Sequence, residues 1–95
     1  MLFALIAYDR PGAKPSRLEI RPEHLKFLES LGNQLVLAGP FLDEAENMVG
    51  SIVVVEAPAL ADAQAIFNRD PFMVGGLFDS VTIKPWRIGI NKTPR

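Results

Sequence analysis

The chain of 95 residues has no cysteine, one histidine, one tryptophan and one tyrosine. Without cysteine there are no disulfides, no thiolate nucleophile and no cysteine-ligated metal, and a reducing, cytoplasmic setting is expected. One histidine, with carboxylates scattered among loops, does not make a metal cage, so neither a metal nor another cofactor is expected. Long apolar runs are also missing. Leu2–Ala7 is short and lacks a basic lead-in or cleavage-site pattern, so it reads as a strand rather than a signal peptide. Nothing in the chain is long enough to cross a bilayer, and no membrane partner is expected. Positive charge is not in excess either: 10 Lys and Arg stand against 11 Asp and Glu, for a formal net charge of −1. With a pI near 5.7, nucleic acid is a poor candidate for the main partner.

What the chain does hold is aliphatic residues: 48% of it is hydrophobic, which suits one modest core. We expect a single domain over residues 1–95, with a core at about 1–87 and a tail at 88–95. The first strand is Leu2–Tyr8. A loop with two prolines and a Pro-Gly turn follows, Asp9–Ser16. Ser16 with Glu19 makes a capping-box pattern for a helix over 17–31, although Pro22 allows a start as late as Ile20 or Arg21. Gly32-Asn33 ends that helix. Gln34–Leu42 and Met48–Glu56 are strands joined by the polar loop Asp43–Asn47. Gly39-Pro40 marks a bulge or an edge, because proline cannot donate to a ladder. A second helix covers 59–70, a short turn covers Phe72–Gly76, and Phe78–Arg87 is the last strand. The order β-α-β-β-α-β predicts an α+β, ferredoxin-like fold: an antiparallel sheet with both helices on one face.

His24 is the odd residue. At about 100° per residue, Ile20, Leu25, Phe27, Leu28 and Leu31 form one apolar face, and His24 falls near its centre. Arg21 and Arg17 lie one and two turns before it, on the flank. In the second helix, Asp70 lands on the apolar face at the last turn, where a carboxylate opposes the helix dipole. Antiparallel helices would bring the two together as a buried pair. Each also has a plainer explanation: a core histidine satisfied by its surroundings, and an N-cap for a helical turn starting at Pro71. Capping and pairing are compatible, because a carboxylate has two oxygens.

The strands carry apolar residues at consecutive positions in Leu2–Ala7, Leu35–Ala38 and Ile52–Val55, so both sheet faces call for burial. Helices can cover one face. The other is expected to meet a second copy in a homodimer.

The segments Phe3-Ala4-Leu5-Ile6, Arg21-Pro22-Glu23-His24-Leu25 and Leu37-Ala38-Gly39-Pro40-Phe41 together resemble the YciI-like, or YCII-related, family. Gly50-Ser51, Asp70-Pro71-Phe72, Gly76-Leu77-Phe78 and Lys84-Pro85-Trp86 extend the likeness over roughly Met1 to Trp86. The resemblance implies a dimeric α+β barrel and a His–Asp pair as the active site. It also implies kinship with muconolactone-isomerase-like proteins and dehydrochlorinase-type lyases. We therefore expect His24 and Asp70 to be catalytic, moving a proton on a small, oxygenated aromatic-derived molecule. The expected pocket lies between the helices and the sheet. Arg21, Gly39, Pro40, Phe41, Ser51 and Phe78 are its candidate lining, with Arg21 placed to hold a carboxylate or enolate. Neither Ser51 nor Ser80 sits in a nucleophile elbow. The rival reading is a non-catalytic ligand-binding or interaction module. An RNA-recognition-like domain fails for want of basic charge and exposed sheet aromatics.

Overall fold

The computed structural model describes residues 1–94. Four strands, β1 (Leu2–Asp9), β2 (Leu35–Leu42), β3 (Met48–Glu56) and β4 (Phe78–Trp86), alternate with α1 (Lys14–Ser30), α2 (Leu60–Asn68) and α3 (Pro71–Val74). The sheet is antiparallel, in the order β2-β3-β1-β4. The fold is therefore α+β and ferredoxin-like. β1 and β3, the most continuously apolar segments, take the two central places, where both edges are paired. No helix is long and apolar enough to cross a membrane.

Strand alternation sorts the residues. Phe3, Leu5 and Ala7 of β1 stand opposite Val55, Val53 and Ser51 of β3. Their side chains meet Leu28 and Leu31 and, from α2, Ala63, Ile66 and Phe67 in the main core. The intervening residues face away from the helices: Ile6 beside Ile52, Leu37 beside Val54, and Tyr8 beside Gly50. On that face the rings of Tyr8 and Phe41 stack with centroids 5.4 Å apart.

Two local expectations are corrected, and one is narrowed. Ser16 does not cap α1: the helix begins at Lys14, after Ala13, with no side-chain cap and with Pro15 in its first turn. Proline presets the helical φ, and its missing amide proton costs nothing there. Pro22 then lies inside the helix, on its exposed side, where the carbonyl that loses its partner faces solvent. Of the two alternatives for Gly39-Pro40 the edge holds, while the register shifts of β2 fall between Leu35 and Leu37 and between Phe41 and Leu42. Pro40 is tolerated because β2 is an edge strand. Asp70 does not belong to α2, which ends at Asn68. It is the N-cap of α3, its carboxylate accepting from the Phe72 amide. There the helix dipole favours the charge instead of opposing it. β4 closes at Trp86, and Ile88–Pro94 forms neither helix nor strand. Arg95 of the expected tail lies outside the described residues.

The β2–β3 hairpin is tied by Asp43, whose Oδ1 accepts from the amides of Ala45 and Asn47, both at 2.9 Å. The Asn47 amide holds the Asp43 carboxyl below its ordinary value. Gly50 answers a different need. A Cβ there would stand 2.5 Å from the Ala7 carbonyl oxygen and 3.0 Å from the Phe41 ring. Gly50→Ala is expected to lower stability by about 1–3 kcal/mol, as overpacking does. An unchanged urea midpoint would show that β1 and β3 do not approach so closely.

Candidate active site

α1 turns one stripe inward: Arg17, His24 and Leu28 are its buried residues. Seven residues separate Arg17 from His24, which brings the two to within about 20° on the helical wheel. His24 is 6% exposed, Asp70 5% and Arg17 2%. The structure brings His24 and Asp70 into contact, with Nδ1 2.8 Å from Asp70 Oδ1 and 2.9 Å from Oδ2. A carboxylate can only accept, so Nδ1 carries a proton, and in the neutral ring the lone pair is then on Nε2. Asp70 Oδ1 also accepts from the Phe72 amide at 2.9 Å. The cap of α3 thereby fixes the carboxylate that orients the imidazole. The ring is held from a second side by Phe72, stacked with centroids 3.9 Å apart and planes 18° from parallel.

Arg17 is the site residue that sequence reasoning missed. Its Nε donates to Asp9 Oδ2 at 2.7 Å and its Nη2 to Asp9 Oδ1 at 3.0 Å, a fork-to-fork pair. Nη2 also reaches the Gly50 carbonyl and Ser51 Oγ, each at 2.8 Å. The guanidinium carbon lies 4.7 Å from the centroid of the Phe72 ring, a favourable place for a cation. Phe72, wholly buried, therefore touches both His24 and Arg17. The available signal was periodicity, because Arg17 shares its helix face with His24.

A cleft of about 100 Å³ opens between α1 and the β2–β3 edge. Arg17, Arg21 and His24 line it from the helix, Gly39 and Pro40 from β2, and Ser51 from β3. It is small beside the roughly 300–1,000 Å³ of drug-sized pockets. Two of the expected lining residues are elsewhere. Phe41 is next to Pro40 in a strand and so points to the helix-free face, where it stacks on Tyr8. Phe78 stands behind the site, meeting Phe72 edge-on at 5.9 Å. Neither belongs to the cleft. Among the described residues no group of three or more His, Asp or Glu side chains is placed to hold a metal ion.

Known proteins share this arrangement of elements. The chain is 34% identical to Protein YciI of Escherichia coli O6:H1, over 92% of this chain and 97% of that one. The dehydrochlorinase TftG of Burkholderia phenoliruptrix, named for 5-chloro-2-hydroxyhydroquinone and solved in complex with 2,5-dihydroxybenzoquinone, superposes with a TM-score of 0.85. It is 31% identical, with 94% of this chain and 96% of that chain covered. Rv0793 from Mycobacterium tuberculosis, at 11% identity and a TM-score of 0.60 over 95% of this chain and 100% of that one, shares the fold alone. The YCII-related domain matches residues 1–87, and the chain belongs to that family.

Proposed function

We propose that this protein is a small acid/base enzyme in which His24, oriented by Asp70, moves a proton on a small oxygenated organic molecule. The observation that carries this reading is the His24–Asp70 pair itself, with Nδ1 bound at 2.8 Å and Nε2 left to the cleft. No buried side-chain nitrogen or oxygen among the described residues lacks a partner. Nε2 makes no hydrogen bond among the described residues, which leaves it for the cleft that His24 lines. A general base needs that combination: one nitrogen fixed, the other open.

The reaction class is elimination or isomerisation beside a carbonyl or on a hydroxylated ring. In an elimination, Nε2 accepts a proton and the leaving group departs with its bonding electron pair. In an isomerisation, the same proton returns to a different atom. TftG, a dehydrochlorinase solved with an oxygenated ring, supports both the class and the ligand size. The test is a panel of halogenated hydroxyhydroquinones and unsaturated hydroxylactones, followed by chloride release and absorbance. Turnover that disappears in His24→Asn supports the reading, and no turnover of any member favours a binding module.

Assembly belongs to the same proposal. Contrary to the expectation that the sheet lacks exposed aromatics, the face away from the helices carries Tyr8 and Trp86, 52% and 43% exposed, together with the half-buried Ile6 and Ile52. Only the want of basic charge still speaks against RNA. We expect two copies to pack through this face, burying at least about 1,200 Å² in total, the lower edge of specific interfaces. Light scattering at micromolar concentration should report a dimer. A monomer there would leave this apolar face unexplained.

A further inference from the structure

We infer that the cleft contains an oxyanion subsite built by Arg17, Ser51 and Arg21, so that its ligand is a small organic anion with the charge on oxygen. This rests on the reading that the cleft is the active site, and it adds the charge of the ligand and the groups that recognise it.

A guanidinium offers five N–H donors. Arg17 spends those on Nε and Nη2 on Asp9, Gly50 and Ser51, while Nη1 donates to nothing among the described residues. Arg17 is 2% exposed, yet no buried polar side-chain atom is left without a partner. Nη1 is therefore the nitrogen with solvent at hand, and the cleft is the cavity that Arg17 lines. Two N–H bonds of a fixed cation thus have no protein acceptor among the described residues, and the cleft is where a ligand would meet them.

Ser51 adds a third donor. Its Oγ accepts from Arg17 Nη2 at 2.8 Å, and its own hydroxyl proton is given to no acceptor among the described residues. Ser51 is itself buried and lines the same cleft. Arg21 lines it as well, half-buried and without an ion pair or hydrogen bond among the described residues.

Charge completes the argument. Asp9 balances Arg17, and Asp70 is engaged by His24 and by the α3 amide. Arg21 is the remaining full charge of the lining, and it is positive. A neutral oxygen can accept from these donors, but it leaves the Arg21 charge without a counter-charge and forgoes the roughly twofold stronger charge-assisted bonds. An anionic oxygen satisfies them together through charge-assisted hydrogen bonds, the stronger class. The proton that His24 Nε2 handles then belongs to a molecule whose developing negative charge has a place to go. An enolate or phenolate oxygen fits that description.

The experiment is calorimetric titration with 2,5-dihydroxybenzoquinone, anionic at neutral pH, and with hydroquinone, a neutral ring of similar size. Wild type is expected to bind the first and to bind the second at least about 10-fold more weakly, as lost charge-assisted hydrogen bonds imply. Arg17→Lys keeps a cation for Asp9 but has no second arm for the cleft, and binding of the anion should fall by about 10-fold or more. Arg21→Met should weaken it by about 3-fold, as suits a partly exposed charge, and Ser51→Ala should weaken it as well. If Arg17→Lys does not fold, the other two variants decide. Failure of wild type to bind the anion, equal binding of the two rings, or wild-type anion binding in Arg21→Met and Ser51→Ala would each overturn the subsite. The catalytic reading fails separately. A protein that binds the anion through these groups but turns nothing over keeps the subsite and loses the enzyme.

Discussion

Replacing His24 with asparagine should leave the protein folded and lower turnover of any substrate found by about 10²–10⁴-fold, the usual contribution of a general base. Asparagine matches much of the imidazole's bulk, and its amide can still donate to Asp70, which accepts at 2.8 Å in the native pair. It cannot take up a proton. Circular dichroism and light scattering serve as the folding controls. Equal turnover in variant and wild type would end the catalytic assignment despite the geometry. Turnover in neither, with ligand binding altered in the variant, would make the domain a binding module.

The largest effect on stability is expected from Arg17→Met. The Arg17 and Asp9 side chains are 2% and 6% exposed, so removing the guanidinium strands a carboxylate away from water. It also strips the donor from Ser51 Oγ and the Gly50 carbonyl. Losing one partner of a buried pair costs about 3–5 kcal/mol, mostly through the charge left behind. That is a large part of the roughly 5–15 kcal/mol typical of a domain. Asp9→Asn in the same background removes the stranded charge, so the double variant should recover part of the loss. Urea unfolding of wild type, both single variants and the double gives the coupling energy directly. A loss under about 1 kcal/mol for Arg17→Met would mean that water reaches Asp9 and that the pair is not buried in solution.

The sequence determined the elements and the pair at the heart of the site. Apolar runs at Leu2–Ala7 and Ile52–Val55 identified the strands that became the sheet centre, because burial on both faces demands such runs. His24 was legible because helical periodicity set it among leucines. Asp70 was legible as an inward carboxylate by way of a second helix that in fact ends before it, and as a cap by the proline that follows; it serves both as the cap of α3 and as the partner of His24. Both inferences used spacings of a few residues, the range over which helix geometry and capping act. The tertiary structure decided the rest. Arg17 reads locally as one more flank cation near a loop, and only the fold shows its partners: Asp9 across the turn, and Gly50 and Ser51 33 and 34 residues away. Long-range pairing is what turns a solvated arginine into a buried one. Phe41 was assigned to the pocket by proximity to Pro40, but neighbours in a strand point to opposite faces, and the register that seats Pro40 beside Ser51 sends Phe41 to Tyr8. The helix start went the same way. The Ser16 and Glu19 pattern competed with Pro15 and lost, since α1 begins at Lys14, and that start puts Arg17 in its second turn, across from Asp9. Sequence periodicity chooses which face of an element is buried. What waits beneath that face depends on contacts between distant segments, which no local spacing records.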